Sequence, residues 1–260
     1  MTEQAVVADE FQTVRGRRPS PWKALIFGAP GWGKSTLAAK APGVFFLDLE
    51  NGLERVEDCW RTPTRLTTYD EVMKWTKWAV ENPEVQTIAY DTIDEVEKIL
   101  SAKALAVYNA DVRTPALTLA DIPYGRGTEL LVMEWRKFVD VIERIHARGK
   151  NVLFVGHEQI VKFENPSDAP FDFYTVNLHK KSVPVVLAKL DAVLFAKFES
   201  IVKGAIDNKG KELPKGKAIS TGNRILLTTQ GASWTAKNRM NLEPTLSADI
   251  GAKIFELMGH

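Results

Sequence analysis

The chain has one cysteine, Cys59, so no disulfide can close within it, and its composition suits a reducing cytosol. No apolar run approaches the roughly 20 residues that a membrane-spanning helix needs. The first residues also lack the apolar stretch of a secretory signal. Both absences lead us to expect a cytoplasmic protein with no membrane partner. Charge of one sign is scarce too: 34 Lys and Arg against 33 Asp and Glu leave +1. That excludes bulk attraction to nucleic acid and leaves any such contact to local patches. Internal repeats are missing. What is present is 45% hydrophobic and 26% charged residues over 260 positions, enough for one large domain or a core with modest additions.

The stretch Lys23-Ala-Leu-Ile-Phe-Gly-Ala-Pro-Gly-Trp-Gly-Lys-Ser-Thr36 reads as a buried strand, a turn and a helix start. Gly28 to Ser35 fits G-x-x-x-x-G-K-S, the phosphate-binding P-loop. Glycines let successive backbone N–H groups turn inward on a phosphate, and the helix start adds its positive dipole end. Gly28, Ala29, Pro30, Gly31, Trp32, Gly33, Lys34, Ser35 and Thr36 are therefore the expected nucleotide cradle. Lys34 faces the β/γ-phosphates of ATP, and the Ser35 hydroxyl binds Mg²⁺. The bland alternative, a glycine turn with an incidental lysine, leaves the flanking strand and the Ala-rich helix unexplained.

Along the chain, residues 1–21 read as a mobile arm, and 22–260 as the core. Val44 to Glu50, Val85 to Asp91, Asn151 to His157 and Ala192 to Ala196 read as buried strands. Thr68-x-x-Glu71 reads as a capping box opening a helix. Leu131, Trp135, Phe138, Ile142 and Ile145 form the stripe of a long helix with Gly149 beyond its end. Residues 158–185 read as irregular, 203–222 as a hairpin tip, 223–229 and 233–236 as late strands, and 248–258 as a terminal helix. The fold class this gives is α/β: a mostly parallel sheet with helices on both faces and a β-rich C-terminal part.

In such sheets ligands sit beyond the carboxyl ends of the strands, where Asp48, Glu50, Asp91 and His157 lie. Asp91 is the candidate Walker B carboxylate, orienting Mg²⁺ through water; its alternative is to cap the following helix. Many ring-forming AAA+ ATPases place a Glu directly after this Asp. Here Thr92 stands there, and Asp94 and Glu95 come too late. That counts against an AAA+ motor and leaves Glu50 as the carboxylate that polarises water, with Asp48 a structural neighbour.

Phe46-Leu-Asp-Leu-Glu-Asn-Gly-Leu53 resembles the segment of RecA-like recombinases that carries their catalytic glutamate. Thr87 to Asp91 resembles their Walker B strand, and Ala236-Lys-Asn-Arg239 their Lys-Asn-Lys element. The ordered set is more similar still to compact phage-encoded RecA-like ATPases of single-strand annealing and recombination. That set comprises Gly28–Thr36, Leu47–Gly52, Tyr124–Gly127, Val155–Glu158, Leu178–Lys181, Asp191–Phe195 and Lys237–Arg239, within about residues 23–245.

The resemblance implies a RecA-like core with catalytic Glu50. It makes His157 the γ-phosphate sensor, where the family usually carries Gln. It makes Lys237 and Arg239 fingers that complete a neighbour's ATP site, and so implies a ring or filament of the protein with itself. It implies DNA-binding loops at roughly 121–127 and 158–185, carrying Arg126, Lys162, Phe163, His179, Lys180 and Lys181. Cations interleaved with aromatics suit single-stranded DNA. A bacterial host cytoplasm, a single-strand DNA-binding protein as partner, and Phe11-Gln-Thr-Val14 as an oligomerisation tether belong to the same picture. The competing readings are a helicase-loader or partitioning-type switch acting through protein partners, and a small-molecule kinase. No arginine-bearing lid is evident for the kinase.

Overall fold

The computed structural model describes residues 20–163, 170–203 and 217–259. The order begins β1 (Lys23–Gly28), α1 (Lys34–Ala38), β2 (Val44–Asp48), α2 (Tyr69–Glu81), β3 (Thr87–Asp91), α3 (Ile93–Ala110), α4 (Arg126–Ala147), β4 (Asn151–Phe163). It continues β5 (Phe171–Val176), α5 (Ser182–Leu187), β6 (Ala192–Lys203), β7 (Lys217–Leu227), β8 (Lys237–Asn238), β9 (Thr245–Ser247), α6 (Lys253–Gly259).

One sheet runs β2-β3-β4-β1-β6-β7-β9, with β5 on β4 and β8 on β6. β2, β3, β4, β1 and β6 are mutually parallel, and the other pairings are antiparallel. This is the expected α/β architecture with its β-rich C-terminal part. The parallel strands are continuous apolar runs because both of their faces are covered. Alternate residues feed two cores. Leu25, Phe27, Leu47, Tyr90 and Phe154 pack with residues of α2 to α5 such as Val72, Leu100, Trp135 and Val186. Ile26, Phe46, Ala89 and Leu153 pack with Leu37 of α1 and with Ile254 and Phe255 of α6. The capping box at Thr68 and Glu71 is formed, and the predicted stripe of α4 is buried along its length.

Parallel register decides where the chemistry lands. Gly28 lies level with His157 on one side and Ala196 on the other. Asp91 lies level with Asp48 and Val155. The carboxyl ends of β1 to β4 therefore share one rim.

Several outer elements differ from the expectation. Residues 158–185 are not irregular: β4 runs on to Phe163, and β5 pairs with it from Glu158↔Val176 to Phe163↔Phe171. β6 likewise continues past Ala196 and pairs with β7, with a bulge between Phe198 and Ser200. These halves overhang the core, so they lack the apolar run that marks a strand buried on both faces. The late strand expected at 233–236 is instead β8 at Lys237–Asn238, and β9 was not expected. The terminal helix starts at Lys253, because Gly251 at φ 55° separates it from the 3₁₀ turn Ala248–Ile250. The Phe11–Val14 tether, with residues 1–19, and most of the lysine-rich hairpin tip lie outside the described residues.

Candidate nucleotide-binding site

The P-loop leaves β1 where two backbones nearly touch. A Cβ on Gly28 would stand 2.1 Å from the Ala196 carbonyl oxygen, so only glycine lets β1 pass β6 here. Gly33 sits in the left-handed region at φ 96°, the conformation that turns the chain into α1. Lys34 is buried, and its Nζ donates to the carbonyls of Gly28 (3.0 Å) and Ala29 (2.9 Å), inside its own loop. Burial lowers its pKa below the ordinary lysine value, while Asp91, Asp94, Glu50 and Glu158 oppose that shift.

A cleft of about 280 Å³ opens over this loop. Pro30, Gly31, Gly33, Lys34, Ser35 and Thr36 line it, and Glu50, Asp91 and His157 face them. Thus nine of the residues chosen from the sequence line one cleft, while Gly28, Ala29 and Trp32 of the loop do not. Trp32 is held elsewhere. Its side chain turns away from the cleft, is buried, and donates from Nε1 to the Lys197 carbonyl at 3.0 Å. Arg224 of β7 lies over its ring and donates to its carbonyl oxygen. The indole is too large and apolar for a phosphate cradle, so it anchors the loop. A larger hollow of about 420 Å³ between α2 and α4, lined by Met73, Val80, Val141 and Ile145, holds none of the site residues.

Glu50 stands in the turn after β2. Asp48 is wholly buried; it accepts from the Asn51 backbone N–H at 2.7 Å and pairs with Arg61 at 3.1 Å. The Leu49 N–H donates to Asp91 O at 2.8 Å, and the Leu49 carbonyl accepts from Arg65 Nε at 2.7 Å. Asn51 adopts φ 65°, which asparagine tolerates better than most residues. The backbone on both sides of Glu50 is thus fixed while its side chain stays exposed at the cleft.

Asp91 does not cap α3; Thr92 holds that position, without a side-chain cap bond. Burial pushes the Asp91 carboxyl up to about 6, against a hydrogen bond from Ser35. Its Oδ2 is buried without a partner. A hydroxyl beside a carboxylate with an unsatisfied oxygen fits Mg²⁺, a hard cation that takes one or two protein oxygens plus phosphates and water. Ser35 and Asp91 would hold it, and it would neutralise phosphate charge there. Among the described residues no cluster of three or more His, Cys, Asp or Glu forms an all-protein metal cage.

His157 ends the buried part of β4. Asp94, in the first turn of α3, accepts from its backbone N–H at 3.0 Å and lies 3.5 Å from its Nδ1. Sequence reasoning missed Asp94 in this role, since the contact joins residues 63 apart. It also missed Arg55, an exposed cation lining the same cleft.

The remaining candidates lie elsewhere. Lys237 pairs with Val193, near the start of β6 and the opposite end of the sheet from Gly28. Its Nζ donates to the carbonyls of Leu187 (2.8 Å) and Ala188 (2.9 Å), closing α5. Arg239 is exposed. Arg126 opens α4, and Lys162 and Phe163 end β4, all three exposed. His179, Lys180 and Lys181 lead into α5, and the His179 N–H is held by Glu97 Oε1 at 2.6 Å.

Comparison with known proteins adds the family. No curated protein matches the chain. Among solved structures, the flagellar accessory protein FlaH from Methanocaldococcus jannaschii is similar at 12% identity and a TM-score of 0.40. That match covers 88% of this chain and 85% of FlaH. Thr92 occupies the position after Asp91, which counts against an AAA+ motor, and Glu50 lines the cleft with Asp91; an AAA domain family model nevertheless matches residues 20–240. With that span and this P-loop cleft, the chain belongs to the AAA domain family.

Proposed function

We propose that this protein hydrolyses ATP with Mg²⁺ and uses the cycle to bind single-stranded DNA as a RecA-like homo-oligomer, in annealing or recombination. One observation carries the ATPase reading: Lys34 and Ser35 at the start of α1, Glu50 after β2, Asp91 at the end of β3 and His157 of β4 line one cleft. In this reading the loop amides and Lys34 bind the phosphates, and Glu50 takes a proton from the attacking water. His157 meets the terminal phosphate.

The DNA and assembly readings rest on surface chemistry. The β4–β5 ribbon exposes Ile160, Val161, Lys162 and Phe163, and Lys180 and Lys181 are exposed before α5. Cations beside rings suit a strand whose bases stack. Lys237 and Arg239 lie toward the end of β1 and β6 away from Gly28, which suits service to a neighbour's cleft. The test is steady-state ATP turnover with and without single-stranded DNA, for the parental chain and Lys34→Ala. Turnover that rises with DNA and is lost in the variant supports the proposal. Turnover unaffected by Lys34→Ala would overturn the ATPase reading, and turnover indifferent to DNA would overturn the DNA reading.

A further inference from the structure

The His157 side chain lies against a buried carboxylate outside the cleft lining. Its Nδ1 lies 3.5 Å from Asp94 Oδ2, which also accepts the His157 backbone N–H at 3.0 Å. The Asp94 side chain is 7% exposed, and its other oxygen, Oδ1, is buried without a partner. A buried, half-satisfied carboxylate costs stability, so its presence beside the cleft calls for a reason beyond folding. If Asp94 only held the backbone of β4, a neutral acceptor would serve equally well.

We propose that Asp94 is the positioning residue for His157: it grips Nδ1 and turns Nε2 toward the cleft, where the ring meets the terminal phosphate. The inference rests on the ATPase reading for its last clause alone. The groups around the ring agree with it. The Asp94 hydrogen bond raises the His157 pKa above the ordinary histidine value, burial opposes this, Lys34 of α1 also opposes it, and Glu50 after β2 adds to it. Asp91 of β3 and Arg55 line the same cleft, and Glu158 follows on β4. A charged donor gives the site a stronger grip on a phosphate oxygen than the neutral amide of a glutamine would. It also makes the grip depend on pH. Below the folded-state midpoint the ring is charged and engaged; as pH rises through it, the engagement is lost.

The experiment follows the His157 ring by NMR in the full-length protein, identifying its signal among the four histidines by its loss in His157→Gln. We expect its midpoint to lie above the ordinary ~6.5 and to fall by about 1 or more on the pH scale in Asp94→Asn, as loss of an adjacent opposite charge dictates. Asp94→Glu should restore part of the fall. The Asn variant keeps an acceptor for the His157 N–H, so a merely structural Asp94 would leave the midpoint in place, and that result overturns the proposal. Adding ATPγS should displace the His157 signal more than ADP does; equal displacement overturns the contact with the terminal phosphate. The alkaline fall of kcat/KM should move to lower pH in Asp94→Asn and vanish in His157→Gln. A protein without any ATP turnover would defeat the ATPase reading, while the NMR midpoints would still decide the role of Asp94.

Discussion

Strand β4 is two structures in one chain. Its inner half, Val152 to Val155, is buried in the middle of a parallel sheet and ends at the cleft. Its outer half, Ile160 to Phe163, leaves the core, pairs only with β5, and exposes apolar side chains, Phe163 at 46%. The backbone is the same; the coverage differs. Where both faces are covered, register is fixed and with it the place of a side chain at the strand end. Where neither is, side chains are offered to whatever lies outside. On the proposed function, chemistry belongs at the end of the first half and contact along the second.

The largest effect should separate those roles outright. Glu50→Gln should keep nucleotide binding and lose hydrolysis by ~10²–10⁴-fold, the usual worth of a general base. Phe163→Ala should leave DNA-free turnover near the parental rate. The reverse pattern in ATPase assays would break the comparison. Within β4 itself, Phe154→Ala should cost about 3–5 kcal/mol in denaturant unfolding. Phe163→Ala should stay below about 1 kcal/mol, and equal losses would mean the ribbon is core after all.

A third measurement asks whether the far end of the sheet works on another copy. Arg239→Ala should bind ATP yet hydrolyse it poorly. Mixing it with Lys34→Ala at fixed total protein should recover part of the rate, because hybrid interfaces pair an intact loop with an intact finger. Co-assembly with no gain at any ratio would leave Arg239 a surface cation, and Lys237, already closing α5, a structural one. The smallest effect is in salt dependence. Replacing Lys180 and Lys181 by Ala should flatten the slope of log affinity for single-stranded DNA against log salt by up to about 2. An unchanged slope and affinity would remove this segment from the DNA path.

The inner half was legible because its signals are local. A glycine pattern, an apolar run and a terminal carboxylate each occupy a few consecutive residues, so β1, β2, β3 and the carboxylates beyond them were readable at Gly28, Glu50 and Asp91. Asp48 as a structural neighbour was readable too, though its Arg61 partner was not. The outer half was hidden because its pairing is tertiary: Glu158 to Phe163 alternate polar and apolar only in part, and nothing local announces β5. Asp94 comes too late in sequence to copy a Glu directly after Asp91, so it drew no role from the sequence. The parallel step from β3 to β4 nevertheless brings it against His157. The Trp32 side chain was hidden for the opposite reason, since its motif position concerns the backbone while its size sends the indole into the core.

That tryptophan changes the thermodynamics of the phosphate loop. A glycine-rich loop free in solution samples many conformations, and closing it on a ligand would cost about 1–2 kcal/mol per residue fixed. Here the indole is buried, bonded to Lys197 O and covered by Arg224, so the loop is already ordered around Lys34. The conformational entropy is lost on folding and not on binding. On the proposed function, burial of Trp32 would favour binding through states the empty loop no longer visits.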